Sequence, residues 1–301
     1  MDLDPLKDSM SKDSATAAYL KDAVVCGRLG GMTNRNYLVQ VYERKMVLRL
    51  PGDGTSAIID RHAESIHDRM THGIGINTRT IYFSVRSGIK LSEYVDAAPQ
   101  LGRRALCTPE NVRRISQCLR RLHTSEIRLS RQFDYAVEFE RFSAALGRTV
   151  FARRMVKHAS VYGFFRAARD ELVRLPGRLC ACHNDPVAEN FLLTKDRTYL
   201  IDWEYSGMND PMWDLAAHFI ECGFTPADES RFLACYFEGC VDEWVRRKIL
   251  LFKIIQDVLW AVWSWVKEQA GADFGGYGDS RLVRAGTLAQ AYRQLYPTIG
   301  R

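Results

Sequence analysis

One stretch restricts this chain more than any other. Residues 182–204 run from Cys182-His183-Asn184-Asp185-Pro186 through Asn190 to Phe191-Leu192-Leu193, and then by a polar turn to Tyr199-Leu200-Ile201-Asp202-Trp203-Glu204. Phe191 to Leu193 and Tyr199 to Ile201 have the apolar, β-prone composition of strands, and Lys195-Asp196-Arg197 between them is turn material. A hairpin of this kind carries Asn190 at its entry and Asp202 at its exit, close together in space. Phosphoryl transfer calls for a carboxylate to take the proton of an attacking hydroxyl, with hard oxygens to hold Mg²⁺ on the phosphates. Asp185 fits the catalytic base, and Asn190 and Asp202 fit the metal ligands. Each of the three alone is an ordinary turn residue. The ordered set is not.

The wider pattern is His183-x-Asp185, Asn190, then Ile201-Asp202-Trp203-Glu204-Tyr205, then Asp210-Pro211 and Asp214-Leu215-Ala216. It resembles the kinase-like aminoglycoside phosphotransferase superfamily, and within it the choline/ethanolamine kinase family of bacterial choline kinase type. The likeness runs from Gly30 to about Tyr292. It implies an α+β, protein-kinase-like two-lobed fold. Residues 1–88 would form a small β-rich nucleotide-binding lobe, and residues 89–301 a larger, mainly helical lobe with the catalytic loop and acceptor site. It also implies ATP and Mg²⁺ as cofactors, and phosphorylation of a small amino alcohol, choline or ethanolamine. Asp214 resembles the residue that anchors the catalytic-loop backbone, and His183 takes a scaffolding part. Asn184 to Glu189 is less polar than in eukaryotic members, which bears on the acceptor more than on the chemistry.

Toward the N-terminus, Ser14 to Lys21 reads as a short helix, followed by strands at Ala23–Arg28, Asn36–Tyr42 and Met46–Leu50. The first turn contains Gly30, Gly31, Thr33 and Asn34, small and amide residues whose backbone N–H groups can approach a phosphate. Gly-Gly between strands also makes a plain hairpin; the family resembles this stretch, and so favours nucleotide binding. Arg49 then stands where the kinase fold puts its phosphate-binding cation, a planar, permanently charged fork. Ser56 to Thr71 reads as a helix whose Glu64 pairs with Arg49 in such a fold. Ile81 to Val85 reads as a last strand, Arg86 to Lys90 as a hinge, and Leu91 onward as the start of the second lobe.

From there the pattern is helical. Thr108-Pro109-Glu110 opens a helix with Val112, Ile115, Leu119 and Leu122 on one face. Tyr135 to Phe151 and Val161 to Leu175 continue it, and Asn209-Asp210-Pro211 starts another helix after the hairpin. A long helix from about Asp242 to Gln269 carries Trp260 and Trp263, three apart on one face. Phe274 and Tyr277 follow. Aromatic residues dominate cores, and ring faces also attract quaternary ammonium groups. With the catalytic resemblance, Trp260, Trp263 and Tyr277, joined by Glu204 and Tyr205, form the expected acceptor contacts.

At 301 residues, with 47% hydrophobic and 26% charged residues, the chain can bury a substantial core. A net charge of +6 and arginine pairs on helical faces without aromatic interleaving do not point to nucleic acid. The N-terminus lacks a signal-peptide pattern, and the apolar run Leu250–Val266 contains Lys253, Gln256 and Asp257, so it reads as a buried helix and no membrane partner is expected. Eight cysteines without such a signal suit reduced thiols and a cytoplasmic protein. Cys180-x-Cys182-His183 reads as part of a strand, not a zinc pair. The expected partner is a small molecule; oligomeric state is not legible. Alternatives are a kinase of thiamine or an aminoglycoside, or a non-catalytic nucleotide-binding module.

Overall fold

Asp4 starts the first helix by accepting a hydrogen bond from the Leu6 N–H at 3.0 Å, and Pro5 holds the first helical position. Helices α1 (Pro5–Lys12) and α2 (Ala17–Leu20) precede strands β1 (Val24–Leu29), β2 (Arg35–Val41) and β3 (Arg44–Leu50). The structure, a computed structural model, describes residues 4–31, 34–52, 59–97 and 102–297. Helix α3 (Arg61–Gly73) leads to β4 (Thr80–Phe83) and β5 (Lys90–Glu93), which complete an antiparallel sheet in the order β1-β2-β3-β5-β4. Tyr37 and Val39 on β2, and Met46, Leu48 and Leu50 on β3, alternate along their strands and are buried with Leu20, Ile89 and Leu91. Arg49 falls between two of these apolar positions, so it points to the opposite face.

Three expectations change. Arg86–Lys90 is the turn of the β4–β5 hairpin and not a hinge. The Ser84 N–H donates to Ile89 O at 2.9 Å and the Gly88 N–H to Ser84 O at 2.8 Å. Gly88 has φ +73°, and a Cβ there would meet Arg61 Nε at 2.9 Å, so the turn needs glycine. Leu91 packs into the sheet core and the Lys90 ammonium pairs with Asp68 at 3.1 Å, which explains why this segment joins the sheet. Helix α3 begins at Arg61, because the Asp60 side chain caps it by accepting from the His62 and Ala63 N–H groups; Ser56 to Ile58 lie outside the described residues. The helix expected from Tyr135 to Phe151 is broken at Gly147, φ +85°.

The later helices are α4 (Arg103–Leu106), α5 (Pro109–His123), α6 (Tyr135–Leu146), α7 (Arg148–Met155), α8 (Ala159–Val173), α9 (Pro211–Glu221), α10 (Pro226–Phe237), α11 (Glu243–Gln269) and α12 (Tyr277–Leu295). Four short strands pair antiparallel, β6 (Cys180–Cys182) with β9 (Gly207–Asn209) and β7 (Phe191–Leu193) with β8 (Thr198–Leu200).

The chain divides into two compact units. The first joins Met1–Arg131 to Pro186–Ser206, so the β7–β8 hairpin belongs with the five-stranded sheet and α5. The apolar face of α5 is buried as expected, and Arg114 holds the hairpin turn by donating to Thr194 O and Arg197 O, each at 2.6 Å. The second unit joins Gln132–Asp185 to Gly207–Arg301. Its centre is α11, packed on α6, α8, α9 and α12. Long and apolar enough to cross a membrane, α11 is instead almost entirely buried within the unit.

Candidate active site

In the first unit the hairpin brings Asn190 and Asp202 together. The Ile201 N–H donates to Asn190 O at 2.9 Å, so Asn190 sits against the residue preceding Asp202. Asp202 adopts φ 70°, ψ 67°, a conformation costly for a residue with a Cβ and concentrated at functional sites. Its Oδ1 is buried, accepts no hydrogen bond among the described residues, and lies 3.5 Å from Arg49 Nη1.

Arg49 donates to Glu64 as expected, and also to Gly88 O at 3.1 Å. Burial alone would raise the Glu64 pKa; Arg49, aided by Lys90 and Arg61, overrides it and holds the group down at about 2. Arg61 Nη1 bridges two carboxylates, Glu64 Oε2 at 2.6 Å and Glu204 Oε2 at 3.1 Å. Glu204 also accepts from Asn34 Nδ2 at 3.2 Å. Its pKa is pushed up to about 7, by burial first and then by the charges of Asp202 and Glu64. Tyr205 is buried in the same short turn, Trp203–Tyr205.

The glycine-rich turn is tight. Asn36 Nδ2 donates to Gly30 O at 2.9 Å. A Cβ on Gly31, φ +148°, would meet Asn34 O at 2.6 Å and Asn36 Nδ2 at 2.7 Å. Only glycine fits. Thr33 lies outside the described residues.

In the second unit the loop carrying Asp185 is fixed through its backbone. The buried Asp214 carboxylate accepts from the His183 N–H at 2.8 Å and the Asn184 N–H at 2.7 Å. Asn184 has φ 71°, its Oδ1 accepts from Asn209 Nδ2 at 2.9 Å, and its carbonyl accepts from Trp213 Nε1 at 3.2 Å. The Asp185 N–H in turn donates to His183 Nδ1 at 3.3 Å, which makes His183 a support for the loop.

Trp260, Trp263 and Tyr277 also come together. The Trp260 and Trp263 rings stand edge to face with centroids 6.0 Å apart, Phe274 lies 5.4 Å from Trp263, and Tyr277 lies 6.2 Å from Phe274. Trp263 Nε1 is buried without a hydrogen-bond partner. Burial pushes the Tyr277 pKa up to about 12, with Arg281 opposing and the charges of Glu221 and Asp185 adding to the rise.

The sequence profile of the choline/ethanolamine kinases matches residues 25–239. The chain belongs to the choline/ethanolamine kinase family. The protein LicA of Haemophilus influenzae is 31% identical over 269 residues, which cover 86% of this chain and 99% of that one. The solved choline kinase LicA of Streptococcus pneumoniae is 32% identical, with a TM-score of 0.84 over 95% of this chain and 99% of its own. An ADP-bound aminoglycoside phosphotransferase, APH(2'')-Ib, shares the fold, with a TM-score of 0.64 at 15% identity. This choline/ethanolamine kinase is therefore a small-molecule kinase of protein-kinase-like fold, an ATP-dependent phosphotransferase for an amino alcohol.

Sequence reading missed two arginines in this family member. Arg61 stands three residues before Glu64, a helical spacing that signals a possible pair. Arg281 stands four residues after Tyr277, to which it donates a hydrogen bond, yet it sits in a polar run that resembles any solvated helix face.

Proposed function

We propose that this kinase transfers the terminal phosphoryl group of ATP to the hydroxyl of choline, with ethanolamine the second-ranked acceptor. The observation that carries this reading lies in the second unit. There Asp185 sits on a loop fixed by Asp214 and His183, and Trp260, Trp263, Phe274 and Tyr277 form one aromatic run. A base and a run of ring faces in one unit suit an alcohol that bears a quaternary ammonium, since rings attract a cation that donates no hydrogen bonds. The 32% identity to a solved choline kinase supports the same acceptor.

In this reading Asp185 takes the hydroxyl proton as the new oxygen–phosphorus bond forms and the bond to the bridging oxygen of ADP breaks. Arg49, held by Glu64, and the turn that contains Gly30, Gly31 and Asn34 are assigned to the phosphates. Asn190 and Asp202 are the proposed Mg²⁺ ligands. They fit the ion: both offer hard oxygens, and among the described residues Asp202 keeps a buried oxygen that no hydrogen bond uses. When bound, the ion supplies charge neutralisation at the phosphates. Trp260, Trp263 and Tyr277 are assigned to the ammonium group; Tyr205 and the Glu204 carboxylate, which Arg61 and Asn34 orient, belong to the first unit.

An ATP-consumption assay over choline, ethanolamine, thiamine and kanamycin tests the assignment. Choline should give the highest kcat/KM. Turnover of thiamine or kanamycin with neither amino alcohol accepted would refute it.

A further inference from the structure

We propose that Arg281 sets the acceptor preference by occupying Glu221 and Asp257, so that neither carboxylate is open to a nitrogen held at the aromatic run. The inference rests on the reading of Trp260, Trp263 and Tyr277 as the ammonium site.

Arg281 is 4% exposed. Its Nη2 donates to the Tyr277 hydroxyl and to Glu221, its Nη1 donates to Asp257 Oδ1 at 2.9 Å, and the guanidinium lies 4.5 Å from the Tyr277 ring centroid. Asp257, fully buried on α11 one turn before Trp260, accepts further from Arg284 Nε at 2.8 Å. Asp257 and Glu221 are thus balanced by Arg281 and Arg284, two charges against two. Among the described residues, no hydrogen bond reaches Arg281 Nε.

The consequence for an acceptor follows from its nitrogen. A primary ammonium brings three N–H donors that must find oxygens when they leave water. A trimethylated nitrogen brings none and is served by rings. With both acids engaged by arginine, the site discriminates against the primary amine by withholding its partners, a repulsive element added to an attractive one.

The test compares choline with ethanolamine in purified full-length protein. Arg281→Met keeps the stem and removes the charge, leaving Glu221 open beside Tyr277. The ratio of kcat/KM for choline to that for ethanolamine should fall roughly ten-fold or more, the size of one hydrogen bond to a charged group. KM for ATP should stay constant, and adding Glu221→Gln should restore the ratio. If the Met variant does not fold, Arg281→Lys serves. A single ammonium cannot span both acids, so the ratio should still fall. Ratios within two-fold of wild type in the folded variants overturn the inference. Trp263→Leu separates the two readings. If it leaves KM for choline unchanged, the ammonium site itself is misassigned and the inference falls with it. If it raises that KM about ten-fold while Arg281→Met leaves the ratio alone, only the role of Arg281 is lost.

Discussion

Asp185 and Asp202 are both carboxylates at the ends of the same short stretch, yet they are held in opposite ways. Asp185 rides on a backbone pinned by Asp214, and its carboxylate is the proposed base. Removing that carboxylate leaves the pinned backbone in place. Asp185→Ala should therefore lower kcat by about 10²–10⁴-fold while nucleotide affinity changes little. Turnover within a few-fold of wild type would strip Asp185 of its role. Asp202 instead holds an oxygen 3.5 Å from Arg49 with no hydrogen bond to it, an anion balanced only in part. Asp202→Asn removes the charge and keeps the shape, so half-maximal activity should require several-fold more Mg²⁺. An unchanged Mg²⁺ titration would sink the metal assignment.

Helix α3 does more than carry Glu64. Its buried His67 accepts a hydrogen bond at Nε2 from the Ser130 N–H at 2.9 Å and meets Ser206 Oγ through Nδ1 at 2.9 Å. An imidazole that accepts at Nε2 must be neutral there. Burial, with the charge of Arg131, pushes its pKa down to about 4. The sign follows: the unfolded chain takes up this proton near the ordinary 6.5 and the folded one only near 4. His67 therefore adds to stability above pH 6.5, and that contribution, on the order of 3 kcal/mol, drains away as pH falls toward 4. Urea melts from pH 7 to pH 4 should show the loss, and His67→Gln should flatten the slope within that window. An identical slope in the variant would show that other groups drive it.

None of this was readable beforehand, because a histidine on a helix face carries no mark of what packs on it. What was readable had local causes. The β7–β8 hairpin, the α5 face and the long buried α11 all follow from turn chemistry and periodicity. Asp214 and the pairing of Arg49 with Glu64 were legible through the family pattern. The β4–β5 turn was misread because Arg86-Ser87-Gly88 fits a linker as well as a hairpin, and only pairing with β3, distant in sequence, decides. Arg61 and Arg281 were missed because a buried arginine and a solvated one have the same letter. Their burial is set by carboxylates over 20 residues away, at Glu204 and Asp257.

The unit built on the five-stranded sheet is not continuous along the chain; it closes only when Pro186–Ser206 joins Met1–Arg131. During synthesis this sets an order. When Arg131 has been added, Arg61 is already made, but Glu204 is still 73 residues away. A nascent N-terminal segment thus holds Arg49 and Arg61 with Glu64 but without Asp202 and Glu204, and α5 without the hairpin turn that Arg114 holds. Residues 1–131 expressed alone should remain protease-sensitive, whereas residues 1–206 should gain protection across the sheet. Equal protection of both fragments would mean the sheet needs no help from the hairpin. The ribosome, in effect, delivers Asp202 and Glu204 last, and the arginines they balance wait for them.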